Sequence, residues 1–258
     1  MKPIMGIQLY TLRDYTQTAG ALDETLRRLS AMGVTDVQFS AIGDIPAETQ
    51  KEILDRCGMK VCVTHKGFDR FTADLENLIA EHKTICCDAP GLGGCPGEYR
   101  DSAEAVRRFV KETGPIAAKL APAGMTFNYH NHDFEFKKLP DADTCIMDIL
   151  LSETDPAAFH FIPDVAWIHF AGYDPVEVLH RMKGRVKVLH FKDYIIDDAG
   201  ERKFCSLGKG KVNLKACYEA AKELEIPYIM YEQDCDWVDD DPFKATEESW
   251  AFMKSIEE

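Results

Sequence analysis

Met125-Thr126-Phe127-Asn128-Tyr129-His130 is a short run of β-forming residues that passes at once into Asn131-His132-Asp133-Phe134-Glu135. A strand that ends in imidazole and carboxylate puts chemistry at its C-terminal tip, where parallel α/β proteins keep their working loops. The same alternation of short β runs and amphipathic helices extends in both directions. Upstream, residues 4–10 form a first strand, and Leu22, Leu26 and Leu29 lie at helical spacing after it. Residues 34–39 form a second strand, and a helix over about residues 47–56 is closed by Gly58. Residues 59–64 form a third, and Leu75, Leu78 and Ile79 mark another helix. Thr84-Ile85-Cys86-Cys87 reads as a short fourth strand, and a long helix over residues 102–120 leads back to residue 125. Downstream, residues 159–162, 186–190 and 228–231 read as strands six to eight, with a last helix near residues 242–255.

Eight β–α units in 258 residues predict a (β/α)8 TIM barrel forming one domain over residues 1–258. The rival is a doubly wound open sheet, which often carries a glycine fingerprint after its first strand. Here that turn reads Tyr10-Thr11-Leu12-Arg13-Asp14, with no glycine. Pro90-Gly91-Leu92-Gly93-Gly94 is too irregular for a phosphate cradle and reads as a flexible loop.

Composition narrows the function. With 30 Lys+Arg against 44 Asp+Glu the chain carries a formal charge of −14, so the basic face that nucleic-acid binding requires is missing. No basic amphipathic membrane helix and no apolar run of bilayer length is present. Nine cysteines without zinc-type pairing fit reduced thiols, and residues 1–10 turn polar too soon for a secretion signal. A soluble, cytoplasmic location is the expectation.

At the barrel mouth the expected strand ends bring together His65-Lys66, the 130–135 cluster, Asp164, His190-Phe191-Lys192-Asp193 and Glu232-Gln233-Asp234. One such Asp commonly caps a helix, and Asp193 and Asp234 fit that plainer role. Four converging strand ends are different. Clustered carboxylates with little basic balance repel and take up protons unless a cation lies among them. Two or three carboxylates with an imidazole suit Mn²⁺, Co²⁺ or Zn²⁺. No thiolate is placed there, which argues against a structural zinc site.

Those stretches, together with Ala171-Gly172-Tyr173-Asp174-Pro175 and Ser206-Leu207-Gly208-Lys209-Gly210, resemble the sugar phosphate isomerase/epimerase family of xylose isomerase-like barrels. Inosose dehydratases and ketose 3-epimerases belong to the same superfamily, and the resemblance runs along almost the whole chain. It implies a divalent metal, Mn²⁺ first and Co²⁺, Zn²⁺ or Mg²⁺ as alternatives. Asp164, His190 and Glu232 match three ligand positions of the epimerases. At the fourth, on strand five, the epimerase Glu is replaced by Asn128, so Glu135 is the expected ligand, with His130 or His132 as substitutes. The His130-Asn131-His132 pattern is closer to the H-x-H of inosose dehydratase-like members.

The implied reaction is proton removal next to a carbonyl through an enediolate, with the metal as Lewis acid. Glu232 is the candidate base, with His130, His132 and Glu135 as further acid/base groups. His65, Asn131 and Lys192 are expected to orient substrate oxygens, although Lys192 could instead pair with Asp193. Trp167 and Phe68 could stack on a sugar face, with core packing the simpler role for Trp167. An isomerase or epimerase of a sugar or keto-sugar is the first reading. A lyase, acting as an inosose-type dehydratase or 3-keto-glycoside eliminase, is the second. A nuclease conflicts with the charge, and a metal-free binding barrel is a further possibility. Expected partners are a small sugar or polyol and another copy of the chain in a homo-oligomer, with no nucleic acid and no membrane.

Overall fold

Eight parallel strands, each followed by a crossover that lies outside them, close on themselves in the computed structural model, which describes residues 1–257. The barrel strands are β1 (Ile4–Gln8), β2 (Asp36–Phe39), β3 (Lys60–Lys66), β4 (Pro90–Leu92), β5 (Phe127–His130), β6 (Phe159–Ile162), β7 (Val188–Phe191) and β10 (Tyr228–Tyr231). Their order in the sheet is β6-β5-β4-β3-β2-β1-β10-β7. The ring is completed between β6 and β7 by isolated bridges, Phe161 with Val186 and Asp164 with His190. There the Phe161 N–H donates to Arg185 O at 2.7 Å and the His190 N–H to Pro163 O at 2.8 Å. This is the expected TIM barrel.

The helices form for local reasons. In α1 (Ala19–Ala31) Leu22, Leu26 and Leu29 make one buried stripe, and Thr18 caps the first turn through its hydroxyl. In α2 (Ala47–Cys57) the chain ends on Gly58 in the left-handed conformation. In α5 (Ala103–Leu120) Ser102 is the cap, and Val106, Phe109, Thr113, Ile116 and Leu120 face the barrel. The last helix, α10 (Pro242–Glu257), returns across the base of the first. Two large apolar clusters fill the layer between strands and helices. A smaller one, including Val63, Ile162, Val188 and Met230, is separate from both.

Strand four lies elsewhere than expected. Thr84 ends the helix α4 (Leu75–Thr84), and Cys86 turns with φ of 58°. The strand is instead Pro90-Gly91-Leu92, the stretch expected to be a flexible loop, and it is fully buried. The reason is packing: a Cβ on Gly91 would lie 2.4 Å from Thr64 O, so only glycine lets β4 approach β3 this closely. A strand without β-branched side chains is invisible to propensity. Also unanticipated is an antiparallel hairpin, β8 (Asp193–Ile196) with β9 (Arg202–Cys205), which rises from the end of β7. All nine cysteines are free thiols. No helix among the described residues is long and apolar enough to cross a membrane.

Candidate active site

Side-chain parity on β5 decides what faces the barrel axis. Phe127 and Tyr129 point outward into the helix layer, where Tyr129 packs on Phe109. Asn128 and His130 take the opposite side. His130 is buried, and its Nδ1 lies 3.2 Å from Ile162 O, which leaves Nε2 for the centre. Around it gather Asp164 from the end of β6, His190 from β7 and Glu232 from the end of β10. One ligand atom from each of these four residues lies within 4.8 Å of the other three.

Three of those residues present buried atoms that make no hydrogen bond: Asp164 Oδ2, His190 Nδ1 and Glu232 Oε2. His190 Nδ1 and Glu232 Oε2 are 2.9 Å apart yet not aligned as donor and acceptor. Unpaired buried acceptors are costly, and two lone pairs this close are what neighbouring ligands of one cation look like. The other halves of these groups are fixed. His190 Nε2 is 2.7 Å from Gln38 Oε1; the oxygen can only accept, so Nε2 carries the proton and Nδ1 a bare lone pair. Asp164 Oδ1 accepts from the N–H groups of Ala166 and Trp167 and so caps α7 (Val165–Phe170). Two carboxylates and two imidazoles, held rigidly with their free atoms inward, fit a divalent ion.

Lys192 stands beside this set. Its Nζ hydrogen-bonds both oxygens of Asp234 at 3.0 and 3.1 Å, and lies 3.2 Å from Asp164 Oδ2 and 3.3 Å from Glu232 Oε2. Burial works against its charge, but the three carboxylates outweigh that and raise its pKa. Burial likewise favours a neutral Glu232, yet the Lys192 ammonium holds its carboxyl well below the ordinary range, so it stays ionised. The imidazoles behave oppositely. Burial brings His65 to about 3 and His132 to about 4, with the Lys192 charge adding to the effect in both. Both are neutral at pH 7 and serve as hydrogen-bonding groups. The cavity they line measures about 330 Å³ and is walled also by Tyr10, Ser40, Lys66 and Asp234, a size suited to a monosaccharide-like ligand.

Several expected residues take other places. Glu135, expected as the strand-five ligand, is not brought to the cluster; His130 is. Glu135 sits in the turn Phe134–Phe136, on the outward side of β5, where its Oε1 accepts from Tyr129 Oη at 2.7 Å and its Oε2 from the His132 N–H at 2.8 Å. It braces His132 from behind. Asn131, expected at the substrate, receives the Asp164 N–H on its Oδ1 at 3.1 Å and donates to His132 O, tying β5 to β6. Asp193 does not pair with Lys192; it turns to the backbone of residues 208–212. Asp234, expected in the plainer role of a helix cap, holds Lys192. Trp167 packs between His132 and Arg202, with Arg202 4.0 Å over its ring, as wall rather than open platform. Phe68 packs on Tyr99 and Phe109. Gln38 was missed; the signal was a lone amide in an otherwise core-like strand.

Burial pushes the Glu135 carboxyl up to about 7 against the pull of Tyr129 and the His132 N–H. The folded protein therefore keeps a proton there that the unfolded chain releases near its ordinary value of about 4.3. Between those values the unfolded state binds fewer protons, so the Glu135 contribution to stability falls as pH rises from about 4.5 to 7, by about 3 kcal/mol, and changes no further above that. Glu135→Gln can still accept from the His132 N–H and can donate to Tyr129 Oη, and should lack this component. Urea unfolding of both proteins at pH 5 and 7.5 measures it; identical pH slopes would refute it.

A model of the xylose isomerase-like TIM barrel family matches residues 26–256. An inosose dehydratase of Geobacillus kaustophilus (strain HTA426) is 36% identical over 70 residues, 27% of this chain and 21% of that protein. One from Lacticaseibacillus casei is 26% identical over 144 residues, 50% of this chain and 47% of that protein. The matched part thus spans less than half the length of either curated relative. Among solved structures, a sugar phosphate isomerase/epimerase from Parabacteroides distasonis ATCC 8503 superposes with a TM-score of 0.84 at 23% identity, over 99% of this chain and 94% of that one. That likeness is one of fold.

Proposed function

The chain belongs to the xylose isomerase-like TIM barrel family, and on that premise we propose that its mouth is a divalent-metal site for proton removal next to the carbonyl of a sugar or keto-sugar, with isomerisation or epimerisation as the net reaction. The observation that carries this reading is the convergence of Asp164 Oδ2, His190 Nδ1 and Glu232 Oε2, buried and unpaired, with His130 beside them. Those four residues would hold the ion, Mn²⁺ first. When bound, the ion supplies Lewis acidity that stabilises negative charge developing on substrate oxygens. Glu232, ionised and at the cavity wall, is the group to take the carbon-bound proton. His132 and His65, neutral, orient hydroxyls. Lys192 brings a positive charge to the same oxygens and excludes bulk water with Trp167.

A lyase is the second reading, and one feature favours it. The strand-five place of the epimerase Glu holds Asn128, whose Nδ2 is bound to Pro90 O at 3.3 Å and Thr126 O at 2.8 Å. No carboxylate therefore faces Glu232 from β5, and an elimination needs a proton donor at a leaving oxygen rather than a second base at carbon. The sequence matches to inosose dehydratases point the same way.

Ketoses, inososes and 3-keto-glycosides, screened with Mn²⁺ or Co²⁺ in deuterated water, test both. Deuterium beside a carbonyl with conserved mass is the isomerase outcome; an unsaturated product is the lyase outcome. Absence of exchange with every class, in protein that retains no stoichiometric ion, would sink the proposal.

A further inference from the structure

Asp164, Glu232 and Asp234 bring three negative charges to Lys192, which is their one ion-paired ammonium. With the Arg13 guanidinium bonded at Asp234 O, Asp164 and Glu232 share the Lys192 charge and remain undercompensated, a deficit that a dication makes good. The contacts are unequal. The hydrogen bonds of Nζ go to Asp234 alone, whereas Asp164 Oδ2 and Glu232 Oε2 lie within ion-pair range but unbonded. Those two oxygens are also the ones an ion would need. The lysine stem is walled by Trp167 and Phe204, whose rings lie 5.5 and 5.3 Å from Nζ, so it cannot withdraw into solvent without opening that wall.

We propose that Lys192 is a tethered counter-ion that competes with the divalent ion for Asp164 and Glu232, and that Asp234, which already accepts both of its hydrogen bonds, anchors its ammonium when the ion enters. This rests on the metal reading above. Two cations cannot share the same pair of oxygens at close range without strong repulsion, and a second carboxylate behind the lysine lets it yield a short distance without being desolvated alone. The metal-free protein thereby has one ammonium within ion-pair range of both inward carboxylates, and the loaded protein keeps it on the substrate side of the ion.

Mn²⁺ affinity, measured by chelator competition on metal-free protein, tests the exchange. Lys192→Met should bind Mn²⁺ at least about tenfold more tightly than the unaltered protein. Its metal-free form should melt lower, and its Tm should rise further on loading. Asp234→Asn should weaken binding in the presence of Lys192 and weaken it much less in the Lys192→Met background. Lys192→Gln, which can still bond Asp234, substitutes if the Met variant does not fold. Equal Mn²⁺ affinity with and without the lysine, the site otherwise intact, overturns the competition alone. Additive effects of the two substitutions overturn the anchoring by Asp234, because independent charges would act that way. Failure of every variant and of the unaltered protein to bind Mn²⁺ overturns the metal reading and this inference with it.

Discussion

Asp164→Asn should strip the protein of its divalent ion and lower turnover at least about a hundredfold while leaving the barrel folded. The substitution is chosen for what it keeps. Asn retains an Oδ1 that accepts from the Ala166 and Trp167 N–H groups, so the cap of α7 survives and only the inward charge is lost. Asp164→Ala should lose the ion as well and cost about 1 kcal/mol more in stability through the missing cap. His190→Ala should match Asp164→Asn in metal content, since it removes the bare Nδ1 and leaves the Gln38 amide without its partner. Elemental analysis of protein purified without chelators, alongside far-UV circular dichroism, decides the matter. Full metal content in either variant would refute the ligand set.

The second large effect lies away from the ion. Asp193 receives four backbone N–H groups: Tyr194 at 2.9 Å and Val212 at 3.1 Å on Oδ1, Gly208 at 3.1 Å and Gly210 at 2.9 Å on Oδ2. It folds the loop 207–212 onto itself, and a Cβ on Gly210 would lie 2.2 Å from its Oδ1. Asp193→Ala leaves those donors without an acceptor and should cost about 3 kcal/mol, or roughly 10 °C in Tm, with metal content unchanged. Asp193→Asn, which can accept at only one of its two positions, should recover only part of the loss. Calorimetry of the three proteins reads the effect; a Tm within about 2 °C of the unaltered protein for Asp193→Ala would contradict it.

The barrel was legible in the sequence because seven strands carry β-branched or aromatic runs and the helices carry clean stripes of Leu, Ile and Phe. Strand four was not, since Gly91 contributes by lacking a side chain. The hairpin β8–β9 was written in Ile195-Ile196, the Asp197-to-Gly200 turn and Lys203-Phe204, yet eight-unit arithmetic left no slot for it. At the site, Asp164, His190 and Glu232 could be placed together because a parallel barrel sends its strand ends to one rim. The misplacement of Glu135 followed from counting along the chain. The turn after His132 carries Glu135 back to the outer face of β5, where Tyr129 meets it, while alternation along the strand already placed His130 inside. Gln38 and Asp234 act through other residues, and pairing of that kind is set by tertiary distance that one sequence does not encode.

The cylinder is joined least continuously between β6 and β7, where two isolated bridges replace a ladder, and one of them pairs Asp164 with His190. Two of the four residues assigned to the ion therefore sit on opposite lips of that seam. A cation gripped by both would act as a clasp across the weakest join of the wall, so filling the centre and tightening the barrel would be a single event.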